Sequence, residues 1–519
     1  MQKISTTISQ PLYDVAAIRL IERHAASALA PHTLMQRAGL SVARLTLALA
    51  PHARCIWIAC GPGNNGGDGF EAALLLHQWG KTVVVTWTGV PPGKTGLPPD
   101  AQASRERALA AGVAMASAPP PAFDVCIDAL LGIGATLDPG RPGSVLMQQW
   151  LEVMHASPAL RLAVDVPTGL DADTGSTHFK IATKSIAASA RPICARGLFT
   201  LNLLRLKPGL FTACGRDSAG EVWFDDLGIT EADSPPGAEP CAWLLGADRA
   251  GTPLRTQAAH ASHKGSFGDV AVLGGESSAA GHMTGAALLA ASAALHAGAG
   301  RVFVALLGDA ASASLSVDPQ QPELMFRAPE ALDMAHQVVV CGCGGGEAVK
   351  TVLSKVLSSA RRAVLDADAL NAIAADPQLQ TQLKARHSRG YSTVLTPHPL
   401  EAARLAGITA VAVQADRLTA ARQLAERFQC VVVLKGSGTV IASPGKPSMI
   451  NTTGNALLAT AGTGDVLAGM IGAALASGMS DFQAACSAVF AHGRKADGWA
   501  QDKPDQTLTA SALAQWQCR

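Results

Sequence analysis

CIWIACGPGNNGGDGFEAALLLHQW, residues 55–79, decides the fold. Cys55 to Cys60 is a short apolar run, GPGNNGGDG follows at 61–69, and Phe70 to Trp79 continues as helix. Strand, glycine turn and helix in that order open a βαβ unit. Working outward, Thr82 to Thr86 (TVVVT), Val125 to Ala129 and Leu162 to Val166 are further apolar runs. Such runs alternating with helical stretches predict a mostly parallel, doubly wound sheet with both faces covered. Upstream, residues 12–50 predict two helices parted near Pro31. Ala17, Ile18, Ile21 and Ala25, then Val42, Leu45 and Leu49, recur at helical spacing.

The chain has 519 residues, so two or three domains are expected. Glu231 to Pro240 (EADSPPGAEP) is Pro-rich, acidic and free of apolar periodicity, which marks it as the linker. Beyond it the α/β pattern restarts with Val270 to Leu273, Arg301 to Ala305, Val338 to Cys341, Ala363 to Leu365, Thr393 to Leu395 and Val431 to Leu434. The boundary is placed near 235–242, giving domains 1–235 and 241–519. No repeat at solenoid period is visible.

Composition narrows the function classes. Hydrophobic residues make up 48% and charged residues 16%, enough for sizeable cores and too few charges for disorder. A net charge of +1 and 4% aromatics speak against nucleic-acid binding. Eleven scattered cysteines, with only a CxC at 341–343, read as free buried thiols in a reducing compartment. Met1 to Gln10 is polar, without an apolar signal core. No apolar window of about 18 residues suggests a membrane span. A cytoplasmic enzyme is expected.

In the first half, GPGNNGGDG between strand and helix would turn backbone N–H groups and a positive helix end toward an anion. A glycine-rich turn can also be no more than a tight connection. A dehydrogenase would carry an acid roughly 20 residues on, at the end of the second strand. Thr86-Trp87-Thr88-Gly89 has none, so hydride transfer is disfavoured. Gly89 to Thr95 is one residue short of a phosphate-binding P-loop, and Pro91 and Pro92 lack amide donors, so it reads as an ordinary loop. Asp128 and Asp165 stand at strand ends before glycine-rich loops, where ligands gather in open parallel sheets. The alternative is that they only cap turns.

In the second half, VVVLKGSGT (431–439) runs from a strand into a glycine turn that could clasp a nucleotide. AGTGD (461–465) opens the apolar helix Val466 to Leu475. Amides of Gly462 to Gly464 would face a transferring phosphoryl group. Asp465, in the first helical turn, would be kept ionised by the helix dipole and accept a proton from an attacking hydroxyl. A capping aspartate is the plainer alternative. His398, in TPHP (396–399), is open to a structural or a substrate-contact role.

Taken together, these motifs resemble the bifunctional NAD(P)H-hydrate repair enzymes, an epimerase domain followed by an ADP-dependent dehydratase domain. The resemblance rests on GNNGGDG (63–69), DALLGIG (128–134), DVPTGLDADTG (165–175) and LKPGL (206–210) in the first half. In the second it rests on SHKGSFG (262–268), TGAALLAA (284–291), PELM (322–325), LDADALN (365–371), LTPHP (395–399), LKGSGTVIA (434–442) and TAGTGDVLAGMI (460–471). It implies a Rossmann-like fold followed by a ribokinase-like α/β fold. Three places depart from the family's common patterns: Gln36 stands for a usual Glu, residues 176–199 match poorly, and Cys341 to Gly346 replaces a glycine–proline–glycine–leucine–glycine run.

The resemblance implies that the hydrated nucleotide contacts Asn64, Asn65, Gly66, Gly67 and Asp68, then Gly132, Ile133, Gly134, Ala135, Thr136, Leu137 and Asp138, and Asp165. Potassium would be held by Asn65, Asp128 and Thr168, with Asp165 handling protons in an inversion at C6 of the hydrated ring. In the dehydratase half, Lys435, Gly436, Ser437, Gly438, Thr439 and Gly464 would hold the adenine nucleotide. Ala286, Gly346, His398 and Asp465 would contact the hydrate, with Mg²⁺ neutralising phosphate charge. The expected partners are small molecules (NADHX, NADPHX, ADP), with no nucleic acid, no membrane and a homo-oligomeric assembly. The competing reading is a vitamin or sugar kinase of the same fold, fused to a non-catalytic nucleotide- or partner-binding module.

Overall fold

In the computed structural model the described residues are all except 91–95, 135–136, 138–139, 141–142, 178–196, 252–258, 279–280, 309–315 and 517–519. The chain divides into two compact units. One comprises Met1–Ile4 and Pro11–Cys241, the other Ser5–Gln10 and Ala242–Arg519.

The first unit is built on strands β1 (Gln2–Lys3), β2 (Cys55–Cys60), β3 (Thr82–Trp87), β4 (Ala114–Ala116), β5 (Val125–Ala129), β6 (Leu160–Val164), β7 (Leu198–Leu203) and β8 (Glu221–Asp225). Their order in the sheet is β4–β3–β2–β5–β6–β7–β8–β1, parallel except for the β8–β1 pair. Chain order reverses between β2 and β5, and a crevice opens at the carboxyl ends of strands at such a switch point. The apolar run of β2 shows why its sequence has no polar alternation. Ile56, Ile58 and Cys60 enter the core beneath α1 (Val15–Ala28), α2 (Thr33–Leu49) and α3 (Asn64–Gln78). Trp57 and Ala59 face the other way, against Met147, Trp150, Leu151 and Met154 of α4 (Ser144–Ala156).

The Pro-rich stretch is not a free tether. Arg205 is buried and donates to the carbonyls of Leu204, Ile229 and Thr230 and to Ser234 Oγ. Thr230 and Asp233 close a short capped turn, and Cys241 N–H reaches the Leu12 carbonyl at 2.8 Å. Polar residues without periodicity were here tied down by one buried guanidinium.

In the second unit the main strands are β9 (Ala242–Leu245), β10 (Asp269–Ser278), β11 (Arg301–Gly308), β12 (Met325–Phe326), β13 (Val338–Cys341), β14 (Arg362–Leu365), β15 (Ser392–Leu395), β16 (Val431–Leu434), β17 (Val440–Ser443) and β18 (Lys446–Asn451). They follow one another as β12–β11–β10–β13–β14–β15–β16–β17–β18–β9. Pairing is parallel from β12 to β16, antiparallel through β17 and β18, and parallel again at β9. Alternate valines of β10, β13 and β16 enter one core with α5 (Thr284–His296), α6 (Thr463–Ala476) and α7 (Asp481–Asp502). Ser9 belongs to this unit, donating from N–H and Oγ to Asp248 at 2.8 and 2.7 Å.

α5 and α6 pack unusually close. A Cβ added at Gly469 would lie 2.0 Å from the Ala290 carbonyl oxygen. Gly469→Ala should therefore destabilise the second unit by about 1–3 kcal/mol through overpacking, more than alanine's helix preference returns. A thermal midpoint equal to or above the parent's would contradict this contact.

Candidate functional sites

The crevice of the first unit begins at the turn Gly61–Gly63. Sequence reading gave the whole of 61–69 to a loop and started the helix at Phe70; α3 in fact begins at Asn64. Asparagine and glycine are poor helix formers, but packing overrides propensity here. A Cβ at Gly61 would fall 1.6 Å from the Leu130 carbonyl oxygen, and one at Gly66 2.1 Å from the Gly61 oxygen. One at Gly67 would strike Met35. Gly66 and Gly67 thus let the first turn of α3 press against its surroundings, while Asn64, Asn65 and Asp68 face a cavity of about 910 Å³.

Gly132, Ile133, Gly134, Asp165, Glu22 and Lys207 line the same cavity. Leu137 is buried in the apolar cluster around Trp57 and Trp150. Ala135, Thr136 and Asp138 lie outside the described residues.

Asp165 has φ of 67°, a left-handed backbone uncommon for a non-glycine residue and often found where a side chain must be aimed. Its Oδ1 accepts from Asn202 Nδ2 and Leu203 N–H, each at 3.1 Å, and from the ammonium of Lys207. Lys207 also donates to the Leu203 carbonyl at 2.7 Å, and its side chain is only 1% exposed. Burial lowers its pKa. Asp68 titrates well above the ordinary carboxylate range, first through burial and then through Asp165, Glu22 and Glu71, with Lys207 opposing. Glu22 is raised by burial and by Asp165. Asp165, Asp68 and Glu22 thus crowd one cavity around the Lys207 ammonium, with Arg19 and Arg23 also working to lower Glu22.

Asp128 is deeper. It accepts from Thr168 Oγ1 (2.7 Å), Thr168 N–H (3.0 Å) and Leu130 N–H (3.2 Å). Burial raises its pKa despite those bonds. Asn65 is buried, its side-chain nitrogen without a partner.

The second site assembles at the carboxyl ends of β10, β13, β14, β15 and β16. Lys435, just after β16, donates from Nζ to Asp366 Oδ1 at 2.7 Å, and Thr396 Oγ1 donates to the same oxygen at 2.8 Å. Lys435 N–H reaches the Pro397 carbonyl at 2.9 Å. Burial works against the lysine's charge, but Asp366 and Glu401 outweigh it and raise its pKa. Behind the turn, Arg417 is buried and donates to the carbonyls of Leu434 and Lys435 at 3.0 and 3.1 Å. Gly436 has φ of 137°, and a Cβ there would press on that guanidinium. Thr439 Oγ1 closes the turn onto the Gly436 carbonyl at 3.0 Å. Ser437 and Gly438 lie within it.

α6 starts at Thr463, with Gly462 at φ 89° as its cap. A Cβ at Gly464 would come 3.2 Å from Lys435 Nζ, so the ammonium lies over the helix's amino end. Asp465 departs from expectation. Its pKa is pushed up to about 6, by burial first and by Asp366 second, against the lowering effects of Cys343 and Lys435. Desolvation and a like charge outweigh the helix dipole.

His398 caps the helix Pro399–Ala406, its Nδ1 accepting from Leu400 and Glu401 N–H at 3.1 and 3.3 Å. Burial lowers its pKa, and its Nε2 lies 3.2 Å from Glu401 Oε1. Gly346 N–H donates to Asp368 Oδ2 at 2.8 Å. Ala286, in the first turn of α5, sits against the Gly344 turn.

Sequence reasoning missed Lys207, Glu22, Asp366, Cys343 and Arg417 as members of these sites. Asp366 had a usable signal, since it stands at a strand end as Asp128 does. Lys207 stood inside a quoted motif without any role. Among the described residues the cysteines are free thiols, and no helix is long and apolar enough to cross a membrane.

Comparison with known proteins places these sites in context. Residues 31–206 match the family described as YjeF-related protein N-terminus, and residues 270–517 match NAD(P)H-hydrate dehydratase. A bifunctional NAD(P)H-hydrate repair enzyme of Escherichia coli (strain K12) is 35% identical, covering 96% of this chain and 91% of that protein. An ADP-dependent (S)-NAD(P)H-hydrate dehydratase of Neisseria meningitidis is 44% identical over 46% of this chain and 78% of its own length. A crystal structure of ADP/ATP-dependent NAD(P)H-hydrate dehydratase from Bacillus subtilis, co-crystallised with ATP and Mg²⁺, is 32% identical over 50% of this chain and 90% of that one, with a TM-score of 0.43.

Proposed function

The chain belongs to the bifunctional NAD(P)H-hydrate repair enzymes, and we propose from that membership a role for each of its sites. The first unit interconverts the R and S hydrates of NADH and NADPH at C6. The second dehydrates the S hydrate at the expense of ADP, giving NAD(P)H, AMP and phosphate. The observation that carries this reading is Asp465, at a pKa of about 6, in the first turn of α6 beside Gly464 and beneath Lys435.

The chemistry follows from the leaving group. Hydroxide departs poorly from C6. In the dehydratase site Asp465 takes the proton of the C6 hydroxyl as that oxygen attacks the β-phosphorus of ADP, and AMP leaves. The C6–O bond then breaks with loss of phosphate, and a proton leaves C5 to form the C5–C6 double bond. Amides at the amino end of α6 and the Lys435 ammonium stabilise the transferring phosphoryl group. The turn Gly436, Ser437, Gly438, Thr439 clasps the adenine nucleotide. Ala286, Gly346 and His398 border the hydrate.

In the first unit Asp165 handles the proton, aimed and charge-balanced by Lys207. Asn65, Asp128 and Thr168 offer an amide, a carboxylate and a hydroxyl, an all-oxygen set suited to a hard cation such as K⁺. K⁺ would organise the loop that holds the substrate. Mg²⁺ belongs to the second unit, but the residues there make it a poor cage. Of the converging groups Cys343, Asp366 and Asp465, one is a thiol, and Asp366 is already paired with Lys435. Mg²⁺ would arrive on the phosphate oxygens of ADP and neutralise their charge. A cytoplasmic homo-oligomer completes the proposal; sedimentation of the pure chain tests the assembly.

One assay tests the function. The full chain is given a mixture of both hydrate epimers with ADP, and dihydropyridine absorbance is followed. The expected result is complete recovery in K⁺ buffer. With K⁺ replaced by Na⁺, the R epimer should be consumed only at its spontaneous epimerisation rate. No recovery with ADP or ATP, alongside phosphorylation of a pyridoxal- or pyrimidine-type alcohol, would establish the kinase reading instead. Consumption of the S form alone in K⁺ buffer would remove the epimerase from the first unit.

A further inference from the structure

Phosphoryl transfer needs no thiol, yet one sits against the residue read as the base. Cys343 Sγ and one carboxylate oxygen each from Asp366 and Asp465 all lie within 4.8 Å of one another. The thiol faces the Asp465 carboxylate across that distance, and its nearness works to lower the pKa of Asp465. Cys343 is fully buried, on a backbone fastened to β10. Gly342 N–H donates to the Leu273 carbonyl at 3.0 Å, the Cys343 carbonyl accepts from Gly275 N–H at 2.9 Å, and the Gly344 carbonyl accepts from Glu276 N–H at 2.6 Å. Gly342 has φ of 116°, and a Cβ there would fall 2.0 Å from the Asp366 carbonyl oxygen. On the far side Asp366 is itself immobilised by Lys435 and Thr396.

We propose that Cys343 is a positioning residue for Asp465: its thiol holds one carboxylate oxygen and leaves the other facing the substrate hydroxyl. The inference rests on the reading of Asp465 as the base. Without the thiol beside it the carboxylate is free to swing toward the Lys435 ammonium, where it would be neutralised as a base and would disturb the lysine's place over Gly464. A thiol suits the task because S–H is a weak donor. It fixes an orientation while withdrawing less basicity than a hydroxyl would. Burial, then the charges of Asp465 and Asp366, keep the thiol protonated and so a donor. The ionisable groups acting on Asp465 are Asp366 and Asp368, Lys435 after β16, and Cys343 itself.

The test compares Cys343→Ala and Cys343→Ser in the full chain, measuring kcat and KM for dehydration against pH, with Asp465→Asn as control. The acid limb of kcat should move up by about half to one pH unit in C343A and down in C343S, ordered Ser below Cys below Ala. KM for ADP should stay within about twofold. If C343A does not fold, the near-isosteric C343S carries the same test through its downward shift. Unmoved limbs with reduced kcat in both variants would mean that Cys343 only fills space, and would overturn the proposal. If D465N keeps full turnover, the base assignment itself fails, whatever the cysteine variants do.

Discussion

Asp465→Asn should lower dehydration turnover by about a thousandfold while leaving hydrate epimerisation untouched. A positioned general base is worth typically two to four powers of ten, and among the described residues the two carboxylates that act on Asp465 are already engaged. Asp366 is held by Lys435 and Thr396, and Asp368 accepts the Gly346 N–H. Asparagine keeps the shape and cannot take the proton, so binding of ADP should survive. The parent enzyme should show the same residue in its pH profile. Asp465 carries a proton below about pH 6 and is free above it. A base must be deprotonated to act, so kcat should rise with pH through about 6 and level off beyond. Steady-state kcat between pH 5 and 8 checks both statements. A profile flat to pH 5, or D465N turnover within tenfold of the parent, would remove Asp465 from the chemistry.

Lys207→Met should abolish epimerisation and cost the first unit about 3–5 kcal/mol, the usual consequence of stripping a buried charge of its partner. Lys207 is the ammonium that opposes Asp165, Glu22 and Asp68 in the cavity. Once it is gone, Glu22 and Asp68, already raised, lose an opposing charge and their folded-state pKa values climb further above the unfolded ones. Acids raised in this way lose stability as pH rises above their unfolded values, so the deficit should grow from pH 5 to pH 8. Urea unfolding of the full chain, with saturating ADP holding the second unit, isolates the first transition. A variant that unfolds at the parent's urea midpoint at pH 8 would show that Asp165 needs no counter-charge. Normal R-epimer consumption would show that epimerisation does not need it either.

The success of the sequence reading at the strands has a plain cause. Strands such as β2 and β16 are buried on both faces, so each is a continuous apolar run with no solvent-facing positions to blur it. The Asp465 helix was equally plain, because glycines before an apolar run mark a start. The Asn64 start of α3 was not, since its glycines signal a loop locally and serve a packing contact in fact. Likewise the Pro-rich stretch after Thr230 reads as a tether until Arg205, some 25 residues upstream, is seen to pin it.

By itself the sequence determined that two α/β layers follow one another, which strand ends carry acids and glycine turns, and which family the motifs resemble. These are local properties, written in hydrophobic period and turn chemistry. The tertiary structure alone decided how those groups behave. It brought Lys207 to Asp165 across 42 positions and Lys435 to Asp366 across 69. It also set a thiol against Asp465 and raised that acid to about 6, where the helix dipole by itself would have lowered it. Ionisation depends on burial and on charges a few ångströms away, and chain separation carries no information about either.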